Sequence, residues 1–191
     1  MIGIIGAMEE EVAALKEAMQ VESVTEYASM TFCKGVLCGK EVVIVRSGIG
    51  KVNAGICAQI LVDKFDVNAL INTGIAGSLN AKIDIGDVVV SKEALHHDMD
   101  ATEFGDPIGQ VPRMDTLAFP ADEHLIRLAK AANEKVNPDI HTFVGTVASG
   151  DQFIASQEAK DKIVNNFHAY CTEMEGAAIA HAAYLNKVSY R

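Results

Sequence analysis

Three times in its first half the chain runs a short apolar stretch straight into a glycine-rich turn. Ile2-Gly3-Ile4-Ile5 leads to Gly6-Ala7-Met8, Glu41-Val42-Val43-Ile44-Val45-Arg46 to Ser47-Gly48-Ile49-Gly50, and Ala69-Leu70-Ile71-Asn72 to Thr73-Gly74-Ile75-Ala76-Gly77. Strands that read as continuous apolar runs are those covered on both faces, and here they alternate with helical stretches. The pattern predicts an α/β fold: a three-layer sandwich with a mixed, largely parallel central sheet flanked by helices. In such sheets ligands bind outside the carboxyl ends of the strands, so the three turns are expected to converge on one pocket. A length of 191 residues suits a single core, and residues 1–191 are read as one domain.

Helices are expected over residues 9–19, 52–64, 122–135, 156–166 and 176–185, with further strands at 87–91 and 142–148 and a hairpin-like region around 31–37. Ser156 suits an N-cap, with Ala159 and Lys160 following. The 176–185 segment is apolar nearly all round, which predicts a buried helix. Residues 187–191 read as the opening of another strand. Between them, residues 96–120 form a long irregular stretch with Gly105, Pro107, Gly109, Pro112 and Pro120, and loops of that length tend to be functional.

A net charge of -10 without a Lys/Arg cluster would repel a phosphate backbone, which argues against a nucleic-acid partner. No apolar run has the length of a membrane span, and the start lacks a basic leader, so neither membrane nor signal peptide is expected. Cys33, Cys38, Cys57 and Cys171 contain no C-x-x-C pair, which suits reduced thiols in a cytoplasmic protein. His96-His97-Asp98 with Asp100 superficially suggests a metal site. Adjacent side chains in an extended segment point to opposite faces, however, and no metal is expected.

Glu9, Glu10 and Glu11 stand at a helix start, where acids complement the helix dipole. Successive residues are separated by about 100° around a helix, so one can face inward while its neighbours face water. Glu173-Met174-Glu175 lies between an apolar strand and a buried helix, where an unpaired carboxylate is costly and needs a partner or a chemical role. Ser47, Thr73 and Ser149 have no His/Asp relay near them in sequence, and nothing positive supports a nucleophilic hydrolase.

Gly3-Ile4-Ile5-Gly6-Ala7-Met8-Glu9-Glu10-Glu11, Ser47-Gly48-Ile49-Gly50-Lys51-Val52, Asn72-Thr73-Gly74, Ser149-Gly150-Asp151-Gln152-Phe153-Ile154 and Glu173-Met174-Glu175 together resemble, in order, the motifs of bacterial 5′-methylthioadenosine/S-adenosylhomocysteine nucleosidases. The resemblance runs from Met1 to about Lys187. It implies a nucleoside phosphorylase-like fold, a homodimer, a small-molecule nucleoside substrate and no metal or organic cofactor. The implied activity is hydrolysis of the N-glycosidic bond of methylthioadenosine and S-adenosylhomocysteine, releasing adenine and the 5-thio-substituted ribose, in methionine salvage and methyl-cycle recycling.

By the same resemblance Glu11 orients and deprotonates the attacking water, and Glu175 holds the ribose 2′ and 3′ hydroxyls. Met174 lies under the ribose, Phe153 and Ile154 form the adenine site, and Met8 and Ile49 line the ribose and alkylthio region. Glu173, Ile75, Ala76 and Gly77 complete the substrate-binding set, with Ile75 standing where the family more often has Ser or Thr. Phe104 and Pro112 resemble residues that close the thioether pocket, Phe104 from the other subunit.

Breaking an N-glycosidic bond builds positive charge on the ribose and negative charge on adenine, so a carboxylate near the sugar and a proton donor near the base are needed. The acid triplet would repel phosphate, which favours water as nucleophile. Family members continue past the position of Arg191 with a strand, a loop whose Asp protonates adenine N7, and a helix. The chain is expected to lack these, and loss of a general acid slows a reaction by roughly 100- to 10,000-fold. The alternatives are a purine nucleoside phosphorylase or futalosine hydrolase of the same fold, or a catalytically dead nucleoside-binding protein.

Overall fold

The computed structural model describes residues 1–190. The strands are β1 (Ile2–Gly6), β2 (Gln20–Tyr27), β3 (Met30–Leu37), β4 (Lys40–Arg46), β5 (Ala69–Asn72), β6 (Gly77–Ser78), β7 (Val88–His96), β8 (Phe119–Pro120), β9 (Thr142–Ser149), β10 (Cys171–Glu173) and β11 (Ser189–Tyr190). Interspersed with them are the helices α1 (Glu9–Ala18), α2 (Lys51–Phe65), α3 (Glu123–Val136), α4 (Gln157–Phe167) and α5 (Gly176–Asn186). The expected mixed α/β architecture is the one that folds. Its strands hydrogen-bond as two sheets, ordered β11-β5-β1-β4-β3-β2 and β6-β10-β9-β7-β8.

Parallel pairing of β1 with β4 and β5 sets the first sheet, with Ile4 opposite Ile44 and Ile71. Both faces of its central strands are covered, and the two-residue strand period sorts their side chains. Ile4, Val42 and Ile44 pack with Val12 of α1. Ile5, Val43 and Val45 point the other way, into the main core with Ala54, Cys57, Ala58 and Leu61 of α2. That double cover is why β1 and β4 read as unbroken apolar runs.

Helix α5 completes the core. Ala177, Ile179, Ala180 and Ala183 pack in one cluster with Leu70 of the first sheet and with Ala94, Val147 and Cys171 of the second. Small side chains let α5 approach α2 and both sheets closely. Fully buried Leu61 and Ile179 each contribute about 1.5–3 kcal/mol of hydrophobic stabilisation. At the start of α4, Ser156 accepts from Ala159 N at 3.2 Å, the N-cap expected there.

Two elements differ from expectation. β2 pairs antiparallel with β3 along an edge where nearly every residue is exposed. Its sequence carries no alternating apolar face because no layer covers it. β7 runs on to His96, past the expected end at 91, because parallel pairing with β9 continues from Val88 to His96 across an irregularity at 91/93. His96 is thereby a buried strand residue, 6% exposed, and not part of the following loop.

Candidate active site

Of the three acids that open α1, Glu9 and Glu10 are exposed, and Glu9 pairs with Lys16 at 2.9 Å. Glu11 turns inward. Its Oε2 accepts from Ala7 N at 2.7 Å and Met8 N at 3.0 Å, and its Oε1 accepts from Ile75 N at 3.1 Å. The turns after β1 and β5 are thus joined through one carboxylate. Gly74 is needed for that closeness, since a Cβ there would lie 2.5 Å from Glu11 Oε1.

The second acidic cluster sits where β10 meets α5. Glu173 Oε2 accepts from Glu175 N at 2.9 Å and Gly176 N at 2.7 Å, and its Oε1 is bonded to the Ser149 hydroxyl. Ser149 Oγ in turn accepts from Ala177 N at 2.7 Å. Glu173 therefore builds the turn that aims Glu175. Glu175, 8% exposed, reaches across the fold to accept from Gly50 N at 2.7 Å.

Gly50 precedes the first residue of α2 at φ 96°, ψ 161°, a conformation that side chains disfavour, and it offers no side chain to cap the helix. The cap comes from distant chain: Glu175 takes Gly50 N, and Asp151 Oδ1 takes Lys51 N at 2.8 Å. Two carboxylates thus occupy the positive end of the helix dipole.

Glu11, Glu173 and Glu175 line one cavity of about 680 Å³ with Asn72, Ile75 and Ala76. Burial pushes the Glu175 carboxyl above its ordinary range, the Gly50 N–H opposes this, and the charges of Glu173 and Glu11 push it further up. Burial likewise raises Glu173, against the donors that hold it. The Cys171 thiol in the wall is pushed up to about 12 by burial and by Glu173, which leaves it unsuited to act as a thiolate. Among the described residues no group of three or more His, Cys, Asp or Glu side chains is placed to hold a metal. None of the described helices is long and apolar enough to cross a membrane.

The expected apolar contacts are distributed unevenly. Ile75 and Ala76 line the cavity, and Gly77 lies beside them in β6, opposite Thr172. Met8 and Met174 are partly buried next to Glu9 and Glu175 in sequence, and Ile49 is exposed beside Gly50. Ile154 borders a smaller hollow of about 220 Å³ with His97, Asp98 and Lys162. Phe153, Phe104 and Pro112 are exposed, Phe104 at the end of a short 3-10 turn.

The profile of the phosphorylase superfamily matches residues 1–191. Over 191 residues the chain is 43% identical to the 5′-methylthioadenosine/S-adenosylhomocysteine nucleosidase of Staphylococcus carnosus, covering all of this chain and 82% of that protein. The chain belongs to this nucleosidase family. The family's crystal structure from Colwellia psychrerythraea, in complex with adenine, superposes with a TM-score of 0.94 at 44% identity, covering 99% of this chain and 78% of that one. Futalosine hydrolase of Helicobacter pylori, at 34% identity, superposes with a TM-score of 0.92 over 99% of this chain and 80% of its own.

Within this nucleosidase-family chain, sequence reasoning picked out the carboxylates and missed what holds them. Asp151 and Lys51 belong to motifs that were recognised, but their contact spans 100 positions and no local spacing announces it. Ser149, considered as a nucleophile, serves as a link between Glu173 and Ala177.

Proposed function

We propose that this chain hydrolyses the N-glycosidic bond of 5′-methylthioadenosine and S-adenosylhomocysteine, with Glu11 and Glu175 as its catalytic carboxylates. The observation that carries this reading is a cavity edged by three carboxylates beside a helix N-terminus already filled by the protein's own acids. Phosphate brought to this end of the cavity would meet those carboxylates and be repelled, which disfavours phosphorolysis.

In this reading the bond from ribose C1′ to the base nitrogen breaks with its electron pair leaving on adenine. Positive charge then spreads over the ribose ring, and Glu175, with the hydroxyls of the sugar against it, stabilises that charge. Water held by Glu11 adds to C1′ and gives its proton to that carboxylate, while departing adenine takes a proton from solvent water and Glu11 afterwards returns its own to solvent. The backbone donors to Glu11 hold it in place without satisfying all its lone pairs, so it can still accept from a water. Phe153 stacks on adenine, Ile154 meets the base edge, and Met8, Ile49, Ile75, Ala76, Gly77, Met174 and the Glu173 turn shape the ribose and thioether side.

We also assign a homodimer, supported by exposed Val52 and Ile56 one turn apart on α2 and by exposed Phe104, which then closes the neighbouring pocket with Pro112. Four free cysteines suit a reducing cytoplasm, and the activity suits methionine salvage. The net charge of -10 disfavours a nucleic-acid partner.

The test is adenine release from methylthioadenosine in phosphate-free buffer. Release without phosphate is the expected outcome; release only on adding phosphate would overturn hydrolysis, and tight binding without release would make the chain a nucleoside binder. The likeness to futalosine hydrolase supports a second reading, which faster turnover of futalosine than of methylthioadenosine would favour.

A further inference from the structure

We propose that Lys51 and Asp98 are positioning residues whose ion pair locks the loop holding the ribose-side carboxylate to the loop carrying the purine-side residues. This rests on the hydrolase reading for the meaning of the two sides. Lys51 Nζ lies 2.6 Å from Asp98 Oδ1, and the two side chains are only 19% and 21% exposed. Asp98 Oδ2 accepts from Asp151 N at 2.9 Å, and Asp151 Oδ1 accepts from Lys51 N at 2.8 Å. The bonds close a ring through three segments: the start of α2, the turn after β7 and the turn after β9.

Each member of the ring abuts a different part of the site. Gly50, next to Lys51, gives its N–H to Glu175. Asp151 stands two residues before Phe153. His97, next to Asp98, presses on the same turn, because a Cβ at Gly150 would lie 2.4 Å from His97 Nε2. The His97 N–H also donates to Ser149 O at 2.9 Å, which ties the end of β7 to the end of β9. Although burial opposes ionisation of Asp98, the Lys51 ammonium and the Asp151 N–H hold its carboxyl below the usual range.

Neither Lys51 nor Asp98 lines the large cavity, so both act through Glu175 and Phe153. Sheltered charge-assisted bonds are stronger than exposed ones, and removing one partner leaves the other charge uncompensated. Loss of the pair leaves the Lys51 N–H to Asp151 bond as the remaining direct tie between the two loops and so loosens their alignment without touching the hydrophobic core. The two halves of a bound nucleoside can then still be held, but not in the alignment that bond breaking needs.

The experiment measures amide hydrogen exchange and steady-state adenine release on the unsubstituted chain, Lys51→Met, Lys51→Arg and Asp98→Asn. In Lys51→Met and Asp98→Asn, exchange is expected to rise about tenfold in peptides covering both 47–52 and 149–154, with β4 and α3 unchanged. The same variants lower kcat by roughly 10- to 100-fold with a smaller change in KM, and Lys51→Arg restores most of both. Unchanged exchange in the 149–154 peptide, or a uniform rise along the whole chain, overturns the proposal. An unsubstituted chain that releases no adenine defeats the hydrolase reading, while the exchange pattern still decides whether the pair joins the two loops.

Discussion

The acidic end and the apolar end of the site are held in opposite ways. Glu11 is fixed by three backbone N–H groups and Glu175 by one, and Glu173 is spent on building the turn that aims Glu175. Phe104 and Phe153, by contrast, are 89% and 86% exposed. Charged groups must be pre-oriented to stabilise a transition state, because any reorganisation at the moment of reaction subtracts from the gain. Apolar walls can wait, since an exposed ring gains its hydrophobic stabilisation when substrate or a second subunit covers it, at about 25 cal/mol per Å². Within the single chain the carboxylates are thus already held in place, while the aromatic side chains of the enclosure stand open.

The contrast can be broken most directly at Glu11. Glu11→Gln keeps the shape and the backbone bonds to one oxygen but removes the proposed base, and kcat is expected to fall roughly 100- to 10,000-fold with little change in KM. Kinetics within tenfold of the unsubstituted chain would mean that another group activates the water.

A second effect tests the pre-orientation itself. In Gly74→Ala the new methyl would meet Glu11 Oε1 at 2.5 Å and push the carboxylate off its donors. Adenine release is expected to drop roughly 100-fold although no catalytic group is removed, and a crystal structure of the variant would show Glu11 displaced. Full activity in the variant would show that Glu11 need not be held where it is.

Acid sensitivity belongs to the packing behind the acidic end. Burial, aided by the charges of Lys51 and His181 and opposed by Asp98 and Asp151, brings His96 from 6.5 down to about 4. Its ring lies 3.4 Å from His181 through Nε2 and Nδ1 and edge-on to Phe119. A depressed His contributes stability that is fully present above pH 6.5 and is lost as pH falls through about 4, at most about 3 kcal/mol. The raised carboxyls of Glu173 and Glu175 act in the opposite sense, so the measure is a difference. Urea unfolding of His96→Leu is expected to show a flatter stability curve between pH 6.5 and 4 than the unsubstituted chain; parallel curves would remove His96 as the cause.

The apolar end should respond most gently. Phe153→Ala is expected to raise KM about tenfold by losing the ring proposed to stack on adenine, with unfolding free energy changed by less than about 0.5 kcal/mol. A large loss of stability would mean that the ring is part of the folded core of the assembled protein. On the proposed homodimer, Val52→Asp should shift sedimentation toward the monomer and reduce turnover with it; an unchanged sedimentation coefficient would take α2 out of the proposed interface.

Much of this was legible from local patterns. The apolar runs of β1, β4 and β5 announced strands covered on both faces, and the ring of Ala and Ile in 176–185 announced the buried α5. The spacing of Glu9, Glu10 and Glu11 allowed one of the three to face inward, and Glu11 does. Edge strand β2 escaped notice because an uncovered strand has no apolar face to display, and β7 outran its expected end because pairing with β9 carried it on. The caps of α2 were invisible for a different reason: the residues that supply them stand 100 and 125 positions away from the N–H groups they satisfy.

By itself the sequence determined the order of layers and the presence of carboxylates at the ends of two apolar elements, because burial periodicity and the cost of an unpaired buried charge are local properties of a chain. Only the tertiary structure decided that Glu175 and Asp151 share the N-terminus of α2, that Gly74 makes room for Glu11, and that Lys51 and Asp98 tie two site loops together. Those are satisfactions of hydrogen-bonding groups across long sequence separations. They exist only once the sheets and helices have brought the groups within 3 Å of one another.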